Sequence, residues 1–92
     1  MSYYLKDPQS RVDYAIDWTG YLDGQIVAAS QWTVVPDEPD GITLEQSSFA
    51  LDRTAATLGG GRIGHVYSVS NRVTLSDGRI DERSITLRVE QR

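Results

Sequence analysis

The residue types best suited to catalysis are sparse in this chain. His65 is the only histidine, so a His-dependent triad would have to be built around it. The chain has no cysteine and no Gly-x-Ser-x-Gly turn, and therefore lacks both a thiol nucleophile and a nucleophile elbow. His65 follows Gly64 and opens an alternating run, a position typical of a surface or corner histidine. We therefore predict no catalytic residues.

An acidic loop raises the possibility of a cation site. Asp37, Glu38 and Asp40 place three carboxylates within four residues, and calcium takes oxygen ligands of this kind. However, the spacing of an EF-hand is missing, and prolines interrupt the segment. A solvated turn is the favoured interpretation, and cation binding by residues 37–40 stays open. The glycine-rich segment 59–64 precedes a predicted strand, whereas a phosphate loop needs a following helix. We predict no metal and no cofactor.

A charged segment and three tyrosines are the candidates for protein contacts. The segment 79–83 alternates in charge sign and would lie within cross-strand reach of the preceding run. Exposed ion pairs contribute only about 0–1 kcal/mol each, whereas charges in an interface set register and partner choice. The three tyrosines fall outside the alternating runs, and tyrosine is enriched in interfaces. The predicted contact residues are Arg72, Arg79, Asp81, Glu82, Arg83, Tyr3, Tyr4 and Tyr21.

Two alternating runs joined by an Asp-Gly pair position this charged segment. From 65 to 75 the odd-numbered residues are mainly apolar or aromatic, a period of two typical of a half-buried strand. Asp77-Gly78 suits a tight turn, because glycine adopts positive φ without steric cost. Ile85, Leu87 and Val89 then share one face of the return run. The pattern predicts a β-hairpin with one buried face.

The rest of the chain shows turn signals about every 8 to 12 residues, as expected of a sandwich. The predicted strands are Val12–Trp18, Gln25–Val35, Ile42–Ser48 and Ala55–Leu58, with residues 1–10 irregular and 36–41 a loop. In the second of these strands, Ile26 and Trp32 share one face and Val27 takes the other. A helix from Ser48 to Leu58 is the alternative for the middle of the chain.

These elements predict an all-β, immunoglobulin-like antiparallel sandwich of about seven strands. A chain of 92 residues suits a single domain, here 1–92. Tyr67, near the start of the penultimate strand, fits a tyrosine that bonds nearby backbone and locks a sandwich corner. Trp18, Trp32, Tyr14 and Tyr67 are expected to face inward. A small closed barrel remains the architectural alternative.

Charge and hydropathy exclude two classes of partner. The chain carries 9 basic and 13 acidic residues, and its net charge of −4 has the wrong sign for neutralising phosphates. It contains no run of about 18 apolar residues and no segment suited to a signal peptide. We therefore expect no nucleic-acid or membrane partner, and a soluble protein made in the cytoplasm.

Five segments together carry a resemblance to a known family. They are Lys6-Asp7-Pro8, Asp13-Tyr14-Ala15-Ile16-Asp17-Trp18, Ser30-Gln31-Trp32-Thr33-Val34, Tyr67-Ser68-Val69-Ser70-Asn71-Arg72-Val73 and Asp77-Gly78-Arg79-Ile80-Asp81-Glu82-Arg83-Ser84. In this combination the chain resembles, nearly end to end, the small fiber-tail adaptor proteins of tailed bacteriophages and prophages.

The resemblance implies a non-enzymatic, immunoglobulin-like virion protein, made in the host bacterial cytoplasm. It implies partners among the head-tail connector, tail or fiber proteins, and several copies forming a homo-oligomer in the particle. The alternative is a sandwich module that binds carbohydrate or a cell surface. That alternative predicts an exposed aromatic patch.

Overall fold

The computed structural model describes residues 2–91 and the side chains of residues 4–91, and it is built from β-strands. The strands are β1 (Ser2–Lys6), β2 (Val12–Asp17), β3 (Val27–Val35), β4 (Ile42–Phe49), β5 (Arg53–Gly60), β6 (Val66–Leu75) and β7 (Ile80–Val89), and one 3-10 turn spans Thr19–Tyr21. The predicted all-β fold is confirmed. The alternative helix at 48–58 is wrong, because β4 and β5 occupy those residues. Within residues 2–91 no helix is long and apolar enough to cross a membrane.

The strands form two sheets rather than a closed barrel. One sheet has the order β1-β7-β6-β3, and the other has the order β2-β5-β4. All neighbouring strands are antiparallel except β1, which runs parallel to β7. The expectation of an irregular segment at 1–10 is therefore wrong for residues 2–6. Aromatic residues favour strands, and Tyr3-Tyr4 was the available signal for β1.

The hairpin of β6 and β7 has the predicted form. Gly78 has a φ of 92°, and its N–H donates to the Leu75 carbonyl at 2.9 Å. The Leu75 N–H in turn donates to the Arg79 carbonyl at 2.7 Å. The resulting register places Arg72 opposite Glu82 and Tyr67 opposite Leu87. The alternation of apolar and polar residues in the sequence thus corresponds to an inner and an outer face of the hairpin.

The core lies between the two sheets in two clusters. The larger cluster contains Trp32, Ile42, Ala56, Leu58, Tyr67, Val69, Leu87 and Val89, and the smaller contains Trp18, Leu22, Val27, Val73 and Leu75. The odd-numbered residues of β6 from 67 to 75 are all buried, as the period of two predicted. Tyr14 is partly buried against the larger cluster. Most inward-facing side chains are thus packed in the core.

A β-bulge in β3 reverses one predicted face. The pairing of β3 with β6 shifts between Val27 and Ala29. Because a one-residue slip moves side chains to the opposite face, Val27 is buried whereas Ile26 is exposed. The assignment of Ile26 to the inner face with Trp32 is therefore wrong, although Trp32 itself is buried as predicted.

Two sets of buried polar side chains tie elements together. Lys6 in β1 is only 1% exposed, and its Nζ donates to the carbonyls of Asp7, Ser10 and Gly60 at 2.6–2.9 Å. Burial lowers the pKa of Lys6. Between the sheets, the Trp18 Nε1 donates to Thr54 Oγ1 at 3.0 Å, and Thr54 donates to Asn71 Oδ1 at 2.7 Å. These bonds fix the first strand and the smaller core cluster.

Candidate functional site

The candidate site is a groove between β2 and β7 on one side of the sandwich. It has a volume of about 520 Å³ and is lined mainly by Tyr4, Tyr14, Ile16, Asp17, Trp32, Val69, Arg83 and Ile85. β2 and β1 are the edge strands on this side, one in each sheet. A second depression of similar volume on the outer face of the other sheet is lined by small and polar residues such as Gln46 and Ser48. The first groove therefore differs from the second depression by its aromatic and charged lining.

One wall of the groove is a strand edge that has no neighbouring strand among the described residues. Within residues 2–91, β1 pairs with β7 from Ile85 to Val89, with Ser2 opposite Ile85. We call Ile85–Val89 the closed half of β7 and Ile80–Ser84 its open half. Val89 exchanges backbone hydrogen bonds with Gly64 and His65 on the β6 side. Because backbone groups alternate in direction along a strand, the N–H groups of Ile80, Glu82 and Ser84 face the open side.

Asp81 covers part of that open edge. Its Oδ1 accepts a hydrogen bond of 2.8 Å from the Glu82 N–H, one of the three outward-facing donors. Charged side chains on edge strands discourage pairing with stray chains. Asp81 therefore covers one of the three outward-facing N–H groups of the open half.

Arg83 lies on aromatic rings at the end of the groove. Its guanidinium carbon is 4.2 Å from the centroid of the Tyr21 ring and 5.4 Å from that of Trp18. Stacking of this kind contributes about 0.5–1 kcal/mol at exposed sites. None of the ion pairs within 4 Å in the described chain involves Arg83. The cation is therefore held in place without a carboxylate in contact.

The carboxylate that lines the groove, Asp17, forms hydrogen bonds within its own turn. Asp17 Oδ1 accepts hydrogen bonds from the Thr19 N–H at 2.9 Å and from Thr19 Oγ1 at 2.5 Å. These bonds are the main reason that the pKa of Asp17 is lowered, and Arg53 and Arg83 add only longer-range attraction. Asp17 thus stabilises the 3-10 turn that contains Tyr21, and it forms no contact ion pair with Arg83.

Trp32, which lines part of the groove, has a buried donor without an acceptor among the described residues. Its side chain is 9% exposed, and the buried Nε1 atom has no hydrogen-bond partner among the described residues. A buried donor left unsatisfied costs about 1–3 kcal/mol. No sequence signal identified Trp32 as a groove residue. The alternation predicts that its side chain faces inward, but it does not predict whether an acceptor lies beside the indole N–H.

The predicted contact residues are divided among three surfaces. Arg83, Tyr4 and Tyr21 lie in or beside the groove, and Asp81 lies on its open edge. Tyr4 is 44% exposed and packs edge-on against Tyr14, with 5.1 Å between ring centroids. The side chain of Tyr3 falls outside the side chains that the structure describes.

The remaining three contact candidates point elsewhere. Arg72 and Glu82 form a 3.2 Å ion pair on the outer face of the β6–β7 hairpin. Arg79 pairs with Asp77 at 2.8 Å and donates through Nη2 to the Leu22 carbonyl at 3.2 Å. The fold therefore brings together only part of the set that the sequence proposed.

The histidine and the acidic loop meet at the opposite end of β6. Glu38 Oε1 accepts hydrogen bonds from Tyr67 Oη at 2.6 Å and lies 2.8 Å from His65 Nδ1. Tyr67 Oη also accepts the Arg62 N–H at 3.0 Å, the predicted corner bond. Hydrogen bonding from Tyr67 is the main cause that lowers the pKa of Glu38. Glu38 thus fastens the acidic loop to the sandwich.

Neither a metal site nor an aromatic platform is formed by these residues. Across the described part of the chain, no three His, Asp or Glu side chains group as metal ligands would. Trp18 is fully buried and Trp32 nearly so. The surface platform that a carbohydrate-binding module needs is therefore not supplied by the two tryptophans.

Comparisons with known proteins agree with the sandwich and identify a family. A family model described as "Podophage GP4 fiber-tail adaptor protein gp77" matches residues 6–88. The solved structure of the PKD domain from KIAA 1837 protein is similar in fold, with a TM-score of 0.62 and 18% identity. The match covers 98% of this chain and 79% of that chain. No curated protein matches the sequence significantly.

Proposed function

This chain belongs to the podophage GP4 fiber-tail adaptor family gp77, and on that premise we propose that it joins other proteins of a phage particle. The match over residues 6–88 is the observation that carries the proposal. The adaptor acts by binding, without turnover and without a cofactor, and it resides in the virion after synthesis in the host bacterial cytoplasm. Its partners are connector, tail or fiber proteins.

The arrangement of the molecule supports a binding role. Inward side chains of both sheets are used in the core, so contacts must come from edges, loops and outer faces. Edge strands with free backbone groups accept an added strand from a partner. The groove beside the open half of β7 combines such an edge with Tyr4, Tyr21 and Arg83, which belong to residue types enriched in interfaces.

The charged hairpin supplies the remaining contacts in this proposal. Arg72, Arg79 and Glu82 are exposed and charged, and such rim charges steer association and select partners more than they add affinity. Several copies act together in the particle, since closed symmetric rings are common among homo-oligomers. We expect copies to contact one another only when assembled.

Deletion of the gene from its phage tests the adaptor role. We expect particles with filled heads but without attached fibers or complete tails, rescued when the wild-type chain is supplied in trans. Purified wild-type particles should contain the protein in a fixed copy number, measured by quantitative mass spectrometry. Complete, infectious particles that lack the protein would refute the proposal.

Charge reversal then tests the contact residues. We expect Arg79→Glu combined with Arg83→Glu to prevent rescue while the purified domain still unfolds cooperatively. Arg11→Glu is the matched control, because Arg11 is 63% exposed and pairs with Glu45 rather than with the hairpin. Full rescue by the double variant would remove Arg79 and Arg83 from the interface.

A further inference from the structure

Three Asp-Gly pairs occur in the chain, and each is a place where the backbone can rearrange chemically. They are Asp23-Gly24, Asp40-Gly41 and Asp77-Gly78. In such a pair the glycine nitrogen attacks the side-chain carbonyl carbon of aspartate, because glycine rotates freely and hinders the approach least. The five-membered succinimide ring that results opens to aspartate or to isoaspartate. The contacts around each pair decide which one can react.

Hydrogen bonds hold both reacting groups of the Asp77-Gly78 pair. The Gly78 N–H donates to the Leu75 carbonyl at 2.9 Å, so rotation of that peptide breaks a bond of the hairpin turn. The Asp77 carboxylate accepts the Arg79 N–H at 3.0 Å and the Arg79 Nε–H at 2.8 Å. The bond from the Arg79 N–H is the main reason that the pKa of Asp77 is lowered. The hairpin therefore opposes the reaction at Asp77.

Packing holds the Asp40-Gly41 pair. The Gly41 N–H donates to the Glu38 carbonyl at 3.0 Å, and Gly41 itself is buried. A Cβ placed on Gly41 would lie 2.8 Å from Glu38 Cγ and 3.3 Å from a ring carbon of Tyr67. Glu38 is in turn fixed by the Tyr67 hydroxyl at 2.6 Å. Rotation of the Asp40-Gly41 peptide would therefore require the corner to come apart.

The Asp23-Gly24 pair differs from both, because its reacting groups are free. It lies at the centre of a turn closed by the Gln25 N–H, which donates to the Leu22 carbonyl at 2.9 Å. Within the described chain, neither the Gly24 N–H nor the Asp23 carboxylate has a hydrogen bond or an ion pair. A Cβ placed on Gly24 would have no heavy atom within 4 Å beyond its chain neighbours. Asp23 also has a φ of 48°, which non-glycine residues rarely adopt.

We propose that Asp23 is the residue at which this folded protein isomerises to isoaspartate. The Gly24 nitrogen forms a bond to Asp23 Cγ, and the Cγ–O bond of the protonated carboxyl group breaks. The hydroxyl and the amide proton leave together as water. A water molecule then opens the ring between the nitrogen and the main-chain carbonyl carbon, so the peptide continues through the side chain. The chain mass is unchanged, and no reagent other than water is consumed.

Isomerisation would change a turn that contacts the β6–β7 hairpin. The Leu22 carbonyl accepts both the Gln25 N–H and the Arg79 Nη2, the latter at 3.2 Å. One additional methylene group in the main chain after this carbonyl lengthens the turn and weakens the first of these bonds. Because Asp23 is exposed, the new α-carboxylate is accessible to an S-adenosylmethionine-dependent isoaspartyl methyltransferase, which esterifies it.

Ageing of the purified wild-type chain tests the assignment. The protein is held at mildly acidic pH, isoaspartate is counted by enzymatic methylation, and its position is read from fragment ions of tryptic peptides. We expect isoaspartate to accumulate at Asp23 at least about tenfold faster than at Asp40, and faster than at Asp77. In concentrated urea, where the turns are lost, the three positions should react at similar rates. Equal rates in the folded protein, or faster reaction at Asp40 or Asp77, would overturn the proposal.

Asparagine variants provide a second measurement with a readout in mass. Asp23→Asn, Asp40→Asn and Asp77→Asn lose ammonia instead of water, and asparagine tolerates positive φ. We expect folded Asp23→Asn to deamidate at least about tenfold faster than folded Asp40→Asn, with the difference removed by urea. If Asp40→Asn does not fold, Asp77→Asn is the comparison. A folded rate for Asp23→Asn no higher than that of its comparison variant would refute the assignment, and the adaptor role would be unaffected.

Discussion

The two halves of β7 share one alternating pattern but have opposite environments. In the closed half, β1 and β6 pair on both sides, and Leu87 and Val89 are fully buried. In the open half, only β6 pairs with the strand, and Ile80 is 63% exposed. Among the described residues, β1 lies beside the closed half only. The strand β7 therefore packs in the core through its closed half and is more exposed in its open half.

The ends of the sandwich repeat this contrast in their polar groups. Near the closed half, Lys6, Tyr67 and Glu38 are all hydrogen-bonded to named partners. Near the open half, the Trp32 Nε1 has no acceptor among the described residues, and Arg83 has aromatic contacts besides longer-range charge interactions. The Trp18 Nε1 and Thr54, by contrast, are hydrogen-bonded there as well. A buried donor left without an acceptor costs stability, so Trp32 marks the less well satisfied end of the sandwich.

Truncation of one side chain in each half should give the largest difference. We expect Leu87→Ala to lower the free energy of unfolding by about 2–5 kcal/mol, because it opens a cavity in the core. Ile80→Ala should change it by no more than about 0.5 kcal/mol, since Ile80 is exposed. Urea denaturation measures both, and similar losses would remove the distinction between the halves.

The buried lysine should give the next largest effect. Lys6→Met keeps the apolar stem but removes the ammonium donor from the carbonyls of Asp7, Ser10 and Gly60, of which the Asp7 carbonyl keeps its bonds from Ser10. We expect a loss of about 1–3 kcal/mol in the free energy of unfolding. Arg11→Met is the surface control, expected to change little. An unchanged midpoint in Lys6→Met would show that β1 is held by its ladder alone.

Removing the corner hydroxyl should have a smaller effect. Tyr67→Phe loses the bonds to the Arg62 N–H and to Glu38 while the buried ring remains. We expect about 1 kcal/mol of destabilisation at neutral pH, measured against Tyr4→Phe as the exposed control. A cost as small as that of the control would show that the corner is held by packing rather than by hydrogen bonds.

Acid should weaken the same corner by a route that involves Glu38. Its pKa is lowered below 4.5 in the folded protein, first through the Tyr67 hydroxyl. The stabilisation is therefore complete above pH 4.5 and is lost as the pH falls through the folded pKa. Glu38→Gln should be less stable than wild type at pH 7 and should converge with it in acid. A difference in the free energy of unfolding between Glu38→Gln and wild type that persists at low pH would contradict this role of Glu38.

Loss of the stacked cation should have the smallest effect on stability. Arg83→Leu removes the contacts with Tyr21 and Trp18, for which we expect about 0.5–1 kcal/mol in thermal or urea unfolding. A loss of several kcal/mol would instead make Arg83 a structural residue and would assign the open half to the same role as the closed half.

Much of the fold could be predicted from local pattern. Asp77-Gly78 identified the hairpin, and the odd-numbered residues of β6 identified a buried face. Tyr67 was correctly expected to bond nearby backbone. The bulge between Val27 and Ala29 could not be predicted, because an inserted residue leaves composition unchanged while it reverses the faces before it.

The candidate site was less accessible to prediction than the fold. Arg83, Tyr4 and Tyr21 were named as contact residues on charge and residue type, yet Arg72 and Glu82 face away from the groove. Trp32 was expected only as a core residue. Whether its Nε1 finds an acceptor depends on side chains from other strands, which spacing along the chain does not determine.

Sequence alone determined which side chains of β6 turn inward and where the β6–β7 hairpin reverses, since both depend on neighbouring residues and local backbone preferences. The tertiary structure decided which edge of β7 stays open, because that depends on a parallel pairing between the two ends of the chain. It also decided that Arg83 meets aromatic rings rather than an acid. Contacts between distant segments form only when the sheets pack, so their partners cannot be derived from local pattern.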